Sequence, residues 1–187
     1  VKFIRLDVLP LGALQPFPGN ARRGDVDAIA ESLATFGQYR SLIVRQADDG
    51  SHVVLAGNHT AQGILRLAQY DAGQLDEVYG EGTAARLGGG VRPEARCEII
   101  TCDDGEARKI NAADNRLAEL GGYDDAALLA QLSALAGDFT GTGWTEEDLR
   151  RLADPVPAPG TFVEFGQDIE TDYKCPQCAY EWSGKPK

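Results

Sequence analysis

SLIVRQADDGSHVVLAGNHT, residues 41–60, is the stretch that decides the fold class. Leu42-Ile43-Val44 and Val53-Val54-Leu55 flank Asp48-Asp49-Gly50-Ser51, a run of turn-forming residues. The pattern predicts a β-hairpin with strands over 41–46 and 52–56. Gly57 closes the second strand, and a helix is expected from about Thr60 to Gln69, with Thr60 as its N-cap and Ile64, Leu65 and Leu67 as its apolar residues. A strand that passes through glycine into a helix aims backbone N–H groups and the positive helix end at one spot, which suits an anion. Gly57 permits close backbone approach there, and Asn58, His59 and Thr60 add side-chain donors.

On the N-terminal side, Asp25 is placed to cap a helix over 26–36, whose Val26, Ile29, Leu33 and Phe36 share one face and which Gly37 stops. Residues 2–9 read as a strand. Residues 10–24, rich in proline and glycine, read as a loop. On the C-terminal side, residues 70–93 are rich in glycine and are expected as a long surface insertion around a short helix. A strand is expected over 95–101. A helix should start at a capping box of Asp103 and Glu106 and run to about Leu120. Helices over 124–136 and from Thr145 to Ala153 follow. The domain expectation is therefore a main domain over 1–120, a helical extension over 121–153, a proline-rich linker over 154–160 and a separate tail over 161–187.

The chain has 187 residues, 43% hydrophobic and 25% charged, as befits one soluble domain with an appendage. No apolar run is long enough to span a membrane. Arg5, Asp7, Pro10 and Pro16 interrupt any signal-peptide core, so a cytoplasmic location is expected. Four cysteines outside a secretory context argue against a disulfide framework. The net charge of −11 is uneven: residues 1–66 carry seven basic against six acidic side chains, and the acid excess lies beyond them. An acidic body repels phosphate backbones, while an arginine cluster in the near-neutral half can still hold a compact anion such as a nucleotide.

Three segments concentrate chemistry: Phe36-Gly37-Gln38-Tyr39-Arg40, Ala56-Gly57-Asn58-His59-Thr60 and Ala113-Asp114-Asn115-Arg116. Each alone is ordinary punctuation or a solvated helix face. In this order the chain resembles the ParB/sulfiredoxin superfamily over roughly residues 2–152, in particular phage-type proteins similar to the ParB N-terminal domain. Asn20-Ala21-Arg22-Arg23-Gly24-Asp25 is similar to the family's Asn-Pro-Arg box, with Ala21 in place of proline. Glu31-Ser32-Leu33, Gly37-Gln38 and Leu42-Ile43-Val44-Arg45 resemble its Ser-Ile…Gly…Pro-Ile-x-Val-Arg stretch. Gly57-Asn58-His59-Thr60 falls where ParB has Gly-Glu-Arg-Arg and sulfiredoxin has Gly-Cys-His-Arg. Asp114-Asn115-Arg116 falls where ParB has Glu-Asn-x-x-Arg.

The resemblance implies an α/β (α+β) fold with a small mixed sheet flanked by helices, and a site for a nucleoside triphosphate, ATP or CTP, with Mg²⁺. It implies that Gly57, Asn58, His59 and Thr60 face the phosphates, with Arg22, Ser32, Gly37, Gln38 and Arg116 around the nucleotide. Asp114 and Asn115 become Mg²⁺ ligands, since hard oxygen donors suit that ion. The implied function is an NTPase or small-molecule kinase in phage or mobile-element DNA metabolism, with Asp25, Asp27, Glu31 and His59 as catalytic candidates. The acids also fit a plainer role, favouring the helix dipole. Asn58 stands where sulfiredoxin has its cysteine, so sulfiredoxin chemistry has no nucleophile here. Thr60 replaces an arginine, and Arg40, Arg45 or Arg116 is left to compensate. Two other functions stay open: a non-enzymatic adaptor associated with DNA or a DNA-processing protein, and a nuclease whose metal is held by clustered carboxylates.

In the tail, Tyr173-Lys174-Cys175-Pro176-Gln177-Cys178-Ala179-Tyr180-Glu181-Trp182 looks like one knuckle of a zinc ribbon or rubredoxin-like site. Cys175 and Cys178 can meet one tetrahedral ion, and Lys174 is expected to favour thiolate charge. A structural zinc needs four ligands and a second knuckle is missing. Three outcomes stay open: zinc shared across a homodimer, zinc completed by His52, His59 or an acid, or a degenerate half-site.

Overall fold

The hairpin forms as expected: β3 (Leu42–Gln46) and β4 (His52–Ala56) pair antiparallel, Val44 opposite Val54. They sit inside a five-stranded mixed sheet in a computed structural model that describes residues 1–154 and 173–182. β1 (Lys2–Pro10) lies at one edge, antiparallel to β5 (Glu94–Thr101), which in turn runs parallel to β3. The far edge is β2 (Leu14–Pro16), parallel to β4, so the order is β1-β5-β3-β4-β2. The fold is mixed α/β, a five-stranded sheet flanked by helices. β2 corrects the reading of 10–24 as loop throughout. Three residues beside prolines carry no alternation of their own, and they become a strand because β4 presents a free edge.

The central strands read as continuous apolar runs because both faces are covered. On one face Leu42, Val44, Val54, Cys97 and Ile99 pack with Ala30, Leu33 and Ala34 of α1 (Val26–Phe36) and Ile64 and Leu67 of α2 (Asn58–Leu67). On the other, Leu55 and Ile100 pack with Ala107 and Ile110 of α5 (Asp104–Leu120). Both helix starts expected at Asp25 and Asp103 are observed. Asp25 accepts from the N–H groups of Asp27 and Ala28, and Asp103 forms the capping box with Glu106.

Residues 70–93 are mostly exposed, as expected, but carry two short helices and are anchored in the core. They form α3 (Ala72–Tyr79), opened by a capping box of Asp71 and Gln74, and the short α4 (Thr83–Arg86). Leu75 is fully buried in the main core and Ala84 packs beside it. Thr83, also fully buried, donates its hydroxyl to the Gly80 carbonyl at 2.7 Å. Glycine content hid a segment whose Leu75 and Ala84 point inward. Beyond α5, α6 (Asp125–Ser133) buries Leu128 and Leu132, and α7 (Glu146–Ala153) follows. Among the described residues no helix is long and apolar enough to cross a membrane.

The chain divides into two units, Val1–Ala153 and Asp154–Lys187. Of the linker expected over 154–160, residues 155–160 lie outside the described residues, as do 161–172 and 183–187 of the tail. What is described of the second unit is a hairpin of β6 (Tyr173–Lys174) and β7 (Glu181–Trp182).

Candidate functional site

α2 starts two residues earlier than the N-cap expected at Thr60. Gly57 is the cap, at φ 91°, and no side chain caps the helix. Glycine is required there twice over: that φ disfavours other residues, and a Cβ would lie 2.6 Å from Leu42 Cδ2. The early start makes Asn58, His59 and Thr60 the first turn, where backbone N–H groups have no intrahelical acceptor. That turn opens into a cleft of about 890 Å³ between α1, the end of β4 and α5.

The loop over 17–24 is tied to both sides of this cleft. Towards α2, Phe17 N–H donates to Asn58 Oδ1 at 3.1 Å and Gly24 N–H donates to His59 Nε2 at 3.0 Å. Towards α5, the Arg22 guanidinium donates to the Asn115 carbonyl at 3.0 Å, and Asn115 Nδ2 donates to Asn20 Oδ1 at 3.1 Å. Gly24 lies so close to the imidazole that a Cβ would be 2.7 Å from His59 Cγ. The segments around 57–60 and 115 thus front one cavity, joined by the loop between them.

Several residues with an expected role meet in the cleft lining: Arg22, Asp25, Ser32, Gly57, Asn58, His59, Thr60, Asp114 and Asn115. Others are held elsewhere. Gly37 ends α1 with its N–H on Leu33 O, and Gln38 clamps β5 by donating to Arg96 O at 2.9 Å and accepting from Arg96 N–H at 2.7 Å. Arg116 pairs with Glu119 at 3.2 Å. Helix geometry explains its exclusion: Asn111, Asp114, Asn115 and Ala118 share the face of α5 that fronts the cleft, and position 116 turns away from it. Arg45 is bound to Asp104 across the sheet end, which raises its already high pKa. Of the three arginines available to offset Thr60, only Arg40 lines the cleft, and its guanidinium has no partner among the described residues.

Within the cleft the roles divide by what each atom already holds. Asn58 is 8% exposed and uses both ends of its amide, accepting from Phe17 and donating to Val54 O at 3.1 Å. It shapes the loop, so its side chain does not reach out to a ligand. Of the four catalytic candidates, Asp25 and His59 line the cleft while Asp27 and Glu31 lie outside its lining, and all four are engaged. Asp25 caps α1, Asp27 pairs with Arg66, Glu31 accepts from Gly141 N–H at 3.4 Å, and His59 Nε2 holds Gly24. By contrast, the Ser32 and Thr60 hydroxyls, the Asp114 carboxylate and Asn115 Oδ1 carry no hydrogen bond among the described residues.

Sequence reasoning missed Asn111 and the segment Gly141–Thr142–Gly143, all in the lining, and gave Asn20, also there, no role of its own. Asn111 is 7% exposed and donates to Leu55 O at 2.8 Å, tying α5 to β4. Its position one helical turn before Asn115 was a usable signal. Nothing local marks Gly141–Gly143, which reach the cleft from the helical extension.

In the second unit, the Cys175 N–H donates to Tyr180 O at 2.7 Å and the Ala179 N–H to Cys175 O at 2.9 Å. The Cys175 thiol pKa lies below the ordinary value, chiefly through the backbone N–H of Cys178. Lys174, expected to favour the thiolates, is paired instead with Glu181 at 2.7 Å. Among the described residues no three His, Cys, Asp or Glu side chains gather around one point.

No family model matches the chain, and a search of curated proteins finds no relative. Solved structures with a similar fold include the C-terminally truncated chromosome-partitioning protein ParB from Caulobacter crescentus complexed with CTP-gamma-S, at 16% identity and TM-score 0.45, covering 79% of this chain and 70% of that one. Sulfiredoxin from Arabidopsis thaliana matches at 18% identity and TM-score 0.35, covering 57% of this chain and 97% of that one. A second structure of the Caulobacter crescentus ParB, complexed to the centromeric parS site, matches at 16% identity and TM-score 0.37 over 78% of this chain and 63% of that one. At such identities and TM-scores the likeness says nothing of what this chain binds or does.

Proposed function

We propose that the cleft binds the phosphates of a nucleoside triphosphate with Mg²⁺. One observation carries this reading: the uncapped first turn of α2 opens into the same cavity as Arg22, Arg40 and the unengaged Asp114 carboxylate. Backbone N–H groups at a helix start bind anionic oxygens without a permanent charge. Arg22 and Arg40 supply that charge, and the Ser32 and Thr60 hydroxyls can donate. Asp114, with Asn115 Oδ1, fits an ion that takes few protein ligands and keeps several waters. Mg²⁺ would neutralise phosphate charge that two arginines facing Asp25, Glu98 and Asp114 leave uncompensated.

Binding is favoured over phosphoryl transfer as the activity of this site. Transfer to a hydroxyl needs a group that takes its proton; Asp25, Asp27, Glu31 and His59 are each held in a structural contact, and the unengaged Asp114 carboxylate is assigned here to the metal. A nucleotide that bridges α2 and α5 would close the gap the 17–24 loop already spans. This suits a binding module whose nucleotide state alters what it presents to a DNA-processing partner. Isothermal titration with CTP and with ATP, each with and without Mg²⁺, tests the proposal. Saturable heat that requires Mg²⁺ and falls in Arg40→Ala supports it, and silence for every nucleotide overturns it.

A further inference from the structure

The second unit holds two thiols at the tip of a hairpin that the nucleotide reading does not use. Its turn carries both thiols. Two backbone hydrogen bonds close it, Cys175 N–H to Tyr180 O and Ala179 N–H to Cys175 O. Ala179 takes φ 60°, a left-handed conformation uncommon for alanine, which lets the chain fold back behind the thiols. Cys175 is half-buried and Cys178 exposed, and neither is in a disulfide.

Among the described residues, one chain does not bring together a full ligand set. Zinc in a structural site takes four ligands, usually thiolate or imidazole. Residues 154–187 contain no histidine and no cysteine besides Cys175 and Cys178. Elsewhere, Cys97 is fully buried in β5, His59 Nε2 already accepts from Gly24, and His52 Nε2 is buried. Beside the thiols lies an aromatic platform: Tyr173 and Tyr180 both stack on Trp182, with centroids 5.7 and 6.3 Å away. Tyr180 is 68% exposed, an apolar surface next to an incomplete metal site.

We infer that Cys175 and Cys178 form half of a tetrahedral zinc site that a second copy of this chain completes, joining two chains through four thiolates. Two identical half-sites around one ion are the smallest closed arrangement, with two-fold symmetry. Each thiol gives up its proton to solvent as it binds the metal. The Tyr180–Trp182 platforms of the two copies then lie near one another and lose exposed area. The chain's charge of −11 opposes the union, so added salt strengthens it by screening.

The test uses the full chain loaded with zinc. Native mass spectrometry and light scattering should show a dimer holding about one zinc for every two chains. EDTA should return it to monomer, and so should Cys178→Ser. Cobalt substitution should give the intense sulfur-to-metal charge-transfer absorption of four thiolates, unchanged in Cys102→Ser. One zinc bound per monomer, no zinc bound, a cobalt spectrum that Cys102→Ser weakens, or a dimer that survives both EDTA and Cys178→Ser each overturns the inference. None of these readouts depends on nucleotide binding, so the two proposals fail separately.

Discussion

Asn58→Ala separates a residue that grips a ligand from one that shapes the site. The side chain is 8% exposed and makes two hydrogen bonds of 3.1 Å, to Phe17 N–H and Val54 O. Alanine leaves a donor and an acceptor without partners. At roughly 1–2 kcal/mol for each such partly buried group, the loss is about 2–4 kcal/mol. For a unit of this size, that lowers Tm by about 4–16 °C. The substitution Asn58→Asp keeps the acceptor for Phe17 but sets an oxygen against the Val54 carbonyl, so it too should destabilise despite a favourable position at the start of a helix. Thermal unfolding by circular dichroism, run beside nucleotide titration, reads both consequences. The loop that Asn58 fixes also carries Arg22, so affinity falls along with stability. An Asn58→Ala protein whose Tm is unchanged but whose nucleotide affinity collapses would refute this reasoning and make Asn58 a direct ligand.

Three further outcomes are expected. Thr60→Arg restores a cation in the first turn of α2 and should tighten triphosphate binding about tenfold, or about 1.4 kcal/mol, with a steeper loss in high salt by calorimetry. Leu75→Ala should cost about 2–4 kcal/mol in denaturant unfolding, because Leu75 is fully buried; a change within about 0.5 kcal/mol would return 70–93 to the surface. The Asp103 carboxyl is held below the ordinary range chiefly by the Glu106 N–H, so its contribution to α5 is complete above about pH 4 and is lost as pH falls through the lowered value. Asp103→Asn keeps the cap while removing the titration; Tm measured from pH 7 to about pH 3 should fall less steeply than in the parent, and identical slopes would count against the assignment.

Local physical chemistry was enough for the hairpin over 42–56, for α1 with its Asp25 cap, for β5 and for α5 from its Asp103 box. In each case the signal sits within a few residues: alternation or near-continuous apolar runs for strands, three- and four-residue spacing for helices, and a side chain that satisfies the first N–H groups. β2 and the burial of Leu75 were illegible for the opposite reason. Three residues pair because β4 leaves an edge open, and a mostly exposed glycine-rich segment is anchored because α1 and α2 leave room for Leu75.

The cleft divides in the same way. The order of boxes along the chain brought Gly57–Thr60 and Asp114–Asn115 under consideration together, and the spacing on α5 contained Asn111 as well. Only the folded chain decides that Asn58 turns inward to Phe17 and Val54, that His59 holds Gly24, and that Arg40 rather than Arg45 or Arg116 faces the cavity. A residue type states which bonds a side chain can make. Which bond it makes depends on the partners that groups tens of residues away bring within about 3 Å, and that competition is settled by packing.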